Sequence, residues 1–437
     1  MGALPASARA FDRLRADIDP IPVIDCHEHT LGPGSLRKYT DPLGALIQGY
    51  VQSDLHSVSN DATMGIINDA SRPLEERWAA FEPIWRRTEH TGYARVTKWV
   101  LREIYGEEKL SLDALGRVRE KLLDLTNPEV YWHIVDKAGI RCRLVNIWVG
   151  VPKILDGSHK LPERDRYLIG LPGYHGVRSH AVVTDITGQI GRSATSLDEY
   201  VDVCRDTFVR LQARGAIGMK DQAAYSRVIR YENATRDEAE RLFNFMMEDP
   251  RRSLGWPEAK PLDDWLFHAL MRMARELDMP VQIHTGHMAG VRNDIAKTNA
   301  IHLTSVLELH RDVRFDLFHG NWPYMGEWLY LGKNFPNAAL DCCWLHCIDP
   351  IYAQDVLAEA VTAVPHSKIH GFGGDYGDAP EFAAGHLAIA RDNIAAALAR
   401  LVDTGWIGQD EAVAIAGDWL FNNPNRFFRL GFAPVTG

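Results

Sequence analysis

The stretch Val23-Ile-Asp-Cys-His27-Glu-His29 runs from a short apolar segment into two histidines spaced two residues apart. Residues i and i+2 of a β-strand project to the same side, so both imidazoles can reach one ion. An HxH pair also arises by chance, and a buried structural pair is the competing reading. The rest of the chain gives the stretch its weight. Short apolar runs alternate with longer amphipathic stretches, the pattern of βα units around a parallel sheet. The runs are 23–26, 141–147, 181–183, 216–220, 280–284, 314–319, 338–342 and 369–373; the third is the weakest, because 167–171 competes with it. Apolar residues at helical spacing fill 197–214, 261–277, 304–310, 324–335, 353–364 and 382–401. Eight strands separated by helices close into a (β/α)8 TIM barrel, an α/β fold.

The gap between residues 26 and 141 is too long for a simple crossover and carries helical patterns at 74–85, 92–105 and 112–125. The expected organisation is one barrel domain over 1–437, with 33–137 a helical insertion after strand 1. An insertion leaving the carboxyl end of a barrel strand lies on the face that carries the chemistry, which predicts a lid. Its Trp78, Trp85 and Trp99 read as packing residues, and Arg86, Arg87 and Arg95 as solvated, with a clamp on a substrate carboxylate as the alternative use of one arginine.

The whole chain excludes several function classes. Its 437 residues, 46% hydrophobic and 24% charged, have the balance of a globular protein, with no linker, fixed-period repeat or low-complexity tract. A net charge of −10 without a long Lys/Arg run repels polyanions, so neither nucleic acid nor an anionic membrane is expected as a partner. Nothing in the first 19 residues resembles a signal segment and no later run has membrane-spanning length, which makes a cytoplasmic setting the expectation. The six cysteines form no CxxC pair and read as buried thiols.

The ends of the other strands carry the argument further. Strand 4 ends in Gly218-Met219-Lys220, strand 5 in Gln282-Ile283-His284 and strand 6 in Leu317-Phe318-His319, while strand 8 leads through Gly373-Gly374 to Asp375. Singly, each has a bland reading: a core histidine, a snorkelling lysine, a helix-capping aspartate. Together, in a closed parallel barrel, they meet around one axis at one end. The metal ligands expected are His27, His29, His284 and Asp375. His346 follows strand 7 and has the reach to join them, whereas His370 lies deeper and reads as structural.

This set, HxH on strand 1, Lys on strand 4, His on strands 5 and 6 and Asp on strand 8, resembles the amidohydrolase superfamily. The segments Pro280-Val-Gln-Ile-His284-Thr-Gly286-His287 and His319-Gly-Asn-Trp-Pro323-Tyr324 are similar to its amidohydrolase-2 branch, including the nodulin/FluG-type domain. Met219-Lys220-Asp-Gln-Ala-Ala-Tyr225 is also similar, but the Arg expected next is displaced, with Ser226 there and Arg227 after it. The insertion after strand 1 and the ending Trp419-Leu-Phe-Asn-Asn-Pro-Asn-Arg426-Phe-Phe-Arg-Leu resemble uronate isomerases of the same superfamily.

The resemblance implies a metal-dependent hydrolase of the amidohydrolase type, cleaving an amide, lactone or ester of a small, carboxylated, anionic molecule. One divalent ion, zinc first and manganese, iron or nickel as alternatives, acidifies water and polarises the carbonyl. Asp375 then serves as general base and afterwards as general acid. His319 and Lys220 complete the catalytic set: carbamylation of Lys220 would create a second ion site with His284 and His319, and otherwise His319 is an electrophile or proton donor and Lys220 a cation facing the substrate. Tyr225, Arg227, His287, Asn321, Trp322 and Tyr324 follow strands 4, 5 and 6 and are the substrate-contact candidates. Uronate isomerase-like aldose–ketose isomerisation and metal-dependent decarboxylation are the competing reactions, and a catalytically silent binding barrel is the competing class. Barrels of this kind also form homo-oligomers, which the resemblance makes an expectation here.

Overall fold

The computed structural model describes residues 8–436 except 31, 34–37, 147 and 148. Eight strands form the sheet: β1 (Val23–Glu28), β2 (Ile140–Val145), β3 (Asp165–Gly170), β4 (Ala216–Asp221), β5 (Val281–Ile283), β6 (Phe315–Leu317), β7 (Ala338–Asp341) and β8 (Ile369–His370). They lie in sequence order, each parallel to the next. The segment following β8 closes the circle against β1. Cys26 N donates to Phe372 O at 3.0 Å, Asp375 N to His27 O at 2.8 Å and His29 N to Tyr376 O at 3.0 Å. The protein is therefore a (β/α)8 barrel.

One expected strand is corrected. Residues 181–183 belong to the helix His180–Gly188, whose first turn is capped by Ser179 accepting from Val182 N. The third strand is the competing run, where Tyr167 and Ile169 enter the main helix-facing core and Leu168 turns inward. Three apolar residues are too few for periodicity to separate helix from strand. The second strand stops at Val145, and Ile147 of the expected run lies outside the described residues.

The six expected barrel helices form at Leu197–Ala213, Lys260–Glu276, Thr304–Leu309, Met325–Asn334, Pro350–Ala363 and Pro380–Asp403. Between β1 and β2 the described residues form seven helices, of which Leu74–Thr88, Gly92–Glu103 and Leu112–Arg119 match the helical patterns read from sequence. The last is shorter than its pattern, since Asp124 bridges to Lys38 and accepts from Thr126 N in a turn. Residues 34–37 of the insertion lie outside the described residues. The insertion has its own core of Leu43, Leu46, Phe81, Val96 and Val100, and that core continues into Phe318, Trp344, Tyr376 and Phe382 at the carboxyl ends of β6, β7 and β8. Burying each such side chain contributes about 1.5–3 kcal/mol, so the insertion is held onto the barrel mouth by packing.

Alternation along the strands sorts the residues. Val281, Ile283, Phe315, Leu317, Leu340 and Ile369 join the core under the helices, whereas the residues between them point into the barrel. At its far end Phe421 and Phe428 from the carboxyl terminus meet Ile24, Cys142, Leu144 and Leu168 and plug the interior. Among the described residues no helix is long and apolar enough to cross a membrane.

Candidate metal centre and active site

A cavity of about 420 Å³ opens at the carboxyl ends of the strands, lined by His27, His29, Lys220, His284 and Asp375 from the barrel and by Gln48, Tyr50 and Ser53 from the insertion. One donor atom from each of His27, His29 and Asp375 falls within 4.8 Å of the others. His29 Nε2 is 3.2 Å and His27 Nε2 3.6 Å from Asp375 Oδ1. His27 Nε2 is buried and has no hydrogen-bond partner, and burial, with Lys220 nearby, pushes its pKa well below the ordinary imidazole value. A neutral imidazole whose lone pair meets no protein donor, beside a carboxylate and a second imidazole, is a donor set that could hold a divalent cation. These residues fit the ion that the sequence leads one to expect.

Asp375 is held by its backbone. Its φ of 59° is left-handed, and it shares the mouth with His319 (62°), Asn321 (51°) and Trp344 (62°), all unusual for side chains with a Cβ. Such strain concentrates at functional sites. The preceding Gly374 leaves no room for a side chain unless Glu28 shifts, because a Cβ there would lie 1.9 Å from Glu28 Oε1. Gly374 N and His27 N both donate to Asp25 Oδ1, at 2.9 and 3.2 Å, which ties the Asp375 loop to β1. From the insertion, the Tyr50 hydroxyl donates to the Asp375 carbonyl, with its ring 4.3 Å from that of Trp344.

His284 stands on the other side of the cavity. Its Nε2 is 2.7 Å from His287 O, and its Nδ1 is 3.1 Å from His319 Nε2. His319 Nδ1 in turn is 2.8 Å from Cys343 O. If each ring donates to its carbonyl, the two facing nitrogens carry lone pairs, an arrangement that a cation or one shared proton relieves. Burial, followed by the Lys220 charge, pushes His284 down to about 3, and burial with His284 lowers His319, so the proton is the costlier answer. His319 Nε2 is also 3.9 Å from Asp375 Oδ2. Lys220 Nζ is buried with no hydrogen-bond partner, 3.3 Å from the centre of the Phe318 ring. Burial lowers its pKa to about 8, with Asp375 working in the opposite direction.

The expected substrate contacts divide. Tyr225 lines the cavity, its hydroxyl accepting from Ala289 N and its ring 4.9 Å from that of His284. The others do not line it. Arg227 is only 1% exposed, its guanidinium bonded to Asp264 and stacked on Tyr231 and Trp256, because the turn after Tyr225 sends it back toward the helix Lys260–Glu276. Asn321 accepts from Ala300 N and donates to Tyr324 O, Tyr324 precedes the helix Met325–Asn334, and the Trp322 indole donates to Asp349. These three build the loop rather than the pocket. His287 stands behind the cavity, its ring 5.0 Å from Trp344. His346 is turned away and donates to Gly371 O, while His370 lies in the barrel interior against Asp316 at 2.9 Å. Sequence reading missed Gln48, Tyr50 and Ser53, which carry no periodic signal; it also missed Gln282, whose inward face two residues before His284 is legible from strand alternation.

Residues 175–430, more than half of the chain, match the family model described as amidohydrolase. The chain belongs to the amidohydrolase family. A curated relative of this amidohydrolase, protein fluG of Emericella nidulans, is 28% identical over 188 residues, 41% of this chain and 21% of its own; the chain thus corresponds to about a fifth of that relative's length. Among solved structures, uronate isomerase from Thermotoga maritima superposes with a TM-score of 0.78 at 13% identity, covering 97% of this chain and 98% of its own. Glucuronate isomerase from Caulobacter crescentus gives 0.73 at 18% identity, covering 99% and 96%. A protein provisionally described as a metal-dependent hydrolase from Lactobacillus casei gives 0.67 at 18% identity, covering 98% of both. At these identities the likeness is one of fold.

Proposed function

We propose that this amidohydrolase is a metal-dependent hydrolase that cleaves an amide, lactone or ester bond in a small carboxylated molecule. The observation that carries the reading is the double engagement of Asp375, with Oδ1 toward His27 and His29 and Oδ2 toward His319. A divalent cation, zinc first among the candidates, would be held by His27, His29 and Asp375 with His284 as the fourth expected ligand, and would supply the Lewis acidity that acidifies water and polarises a carbonyl.

The chain's own groups do the rest. Asp375 accepts a proton from the attacking water as its oxygen bonds to the carbonyl carbon. His319, beside the second oxygen of Asp375, steadies negative charge on the carbonyl oxygen when its Nε2 carries the proton it shares with His284. Asp375 then returns the proton to the departing nitrogen or oxygen as the bond to carbon breaks. Lys220, the cation among the cavity's side chains, faces a substrate carboxylate. Carbamylation of Lys220 is the alternative employment and would bring a second ion between His284 and His319. The insertion would serve as a lid, with Tyr50 reaching from it to the Asp375 carbonyl at the mouth.

Isomerisation of a uronate is the second reading, supported by a fold likeness to two uronate isomerases that extends over the insertion. Chelator-treated protein reloaded with Zn2+, Mn2+, Fe2+ or Ni2+ and assayed on lactones, N-acyl amino acids and uronates separates the two. Metal-restored hydrolysis is expected, and uronate isomerisation without any hydrolysis overturns the proposal. Metal analysis alongside gives one ion per chain without carbamylation and two with it.

A further inference from the structure

Beneath the cavity the barrel interior holds a buried polar layer that the reaction above does not use. Gln282, on β5, has its side-chain Nε2 2.9 Å from Cys26 O and 3.2 Å from Asp316 Oδ2. Cys26 O is a carbonyl and can only accept, so the amide is oriented in one way: NH2 toward it and oxygen away. That oxygen, Oε1, is 3.0 Å from His27 Nδ1. An amide oxygen only accepts, so Nδ1 carries the hydrogen, and in the neutral ring the lone pair is left on Nε2. Nε2 is the atom without a protein partner beside Asp375.

Asp316 is itself fixed. Its Oδ1 is 2.9 Å from His370 Nδ1, and the same nitrogen is 3.6 Å from Asp341 Oδ2. All of these groups are fully or almost fully buried, so no water competes for the amide. With a flipped amide, its oxygen would face the Cys26 carbonyl and leave that buried acceptor without this donor. Each unpaired buried group costs about 1–3 kcal/mol, which holds the amide in one state.

We propose that Gln282 is the positioning residue that sets the tautomer of His27 and presents its Nε2 lone pair to the cation site, with Asp316 and His370 holding the amide in place. This rests on the reading of His27 as a metal ligand. Partners of this kind behind a metal-bound histidine orient the ring and raise its basicity.

The test compares Gln282→Met, which keeps the length and loses both functions, with Gln282→Glu, which keeps an acceptor facing Nδ1 in either protonation form. Zn2+ affinity of the purified protein is measured by chelator competition, with near-UV circular dichroism to report folding and His27→Ala as control. Gln282→Met is expected to weaken Zn2+ by about 10–100-fold, with Gln282→Glu recovering most of it. Weak binding by His27→Ala combined with wild-type binding by Gln282→Met overturns this proposal and leaves the metal site standing. Wild-type binding by His27→Ala overturns both. If Gln282→Met does not fold, histidine-labelled wild-type protein decides by 15N NMR: a metal-free His27 protonated on Nδ1 supports the proposal, and one protonated on Nε2 overturns it.

Discussion

His29 Nε2 and Asp375 Oδ1 lie 3.2 Å apart although they belong to the two ends of the barrel sequence, and the contact exists because Asp375 N bonds to His27 O where the last strand meets the first. Ring closure and the meeting of His29 with Asp375 are thus one structural event. Asp375→Asn keeps the shape of the side chain and removes both its charge and its capacity to accept a proton. Activity is expected to fall by about 10²–10⁴-fold, with weaker Zn2+ retention in the same chelator competition. An Asn variant with native turnover would remove Asp375 from the mechanism.

Lys220 is buried over Phe318 with no hydrogen-bond partner, and burial holds its pKa down to about 8 against an ordinary value of 10.5. A folded-state pKa below the unfolded one means that the protonated lysine destabilises the fold. That cost is fully present below about pH 8 and disappears as pH rises toward the unfolded value near 10.4. Lys220→Met is therefore expected to raise the melting temperature of metal-free protein at pH 7, with the gain shrinking by pH 10, while activity falls on the order of 100-fold. Differential scanning calorimetry at the two pH values checks the first part and a turnover assay the second.

Arg227 and Asp264 are each 1% exposed and bonded to one another. Removing the guanidinium leaves Asp264 with Lys260 and Glu232 N as partners, so breaking this buried pair costs at most about 3 kcal/mol. Arg227→Met should therefore lower stability by that order in urea titration and leave KM unchanged, because the guanidinium does not line the cavity. A raised KM with native stability would return Arg227 to the substrate site.

His370 lies between Asp316 and Asp341, and although burial opposes its charge, the two carboxylates push its pKa up to about 9 from the ordinary 6.5. A raised folded-state pKa stabilises the fold fully below about 6.5, and the contribution is lost as pH rises through 9. Asp341, raised to about 8 by burial and then by Asp316, favours the protonated state in the same direction. The stability gap between wild type and His370→Gln should thus be widest near pH 6 and narrow above pH 9, read from urea midpoints across that range.

Much of this was legible from residue order. The HxH stretch, the inward lysine and histidines at the ends of β4, β5 and β6, and the late aspartate follow from strand alternation, because a period of two fixes which side chains share a face. The third strand was misread at 181–183, since an apolar triplet has no period and the cap at Ser179 decides it as helix. Arg227 was misplaced because a turn, unlike a strand, does not fix the direction of its side chains.

By itself the sequence determined the parallel βα order, the long insertion after β1 and the set of residues available to hold a cation. Local spacing encodes these, since each depends on neighbours within one strand or helix. Tertiary structure alone decided that His27, His29 and Asp375 form the compact triplet while His284 faces His319, that Tyr50 reaches the Asp375 carbonyl, and that Gln282 backs His27. Those relationships depend on ring closure, left-handed backbone at the strand ends and packing of the insertion, and no local pattern records distances between segments that meet only when the barrel closes.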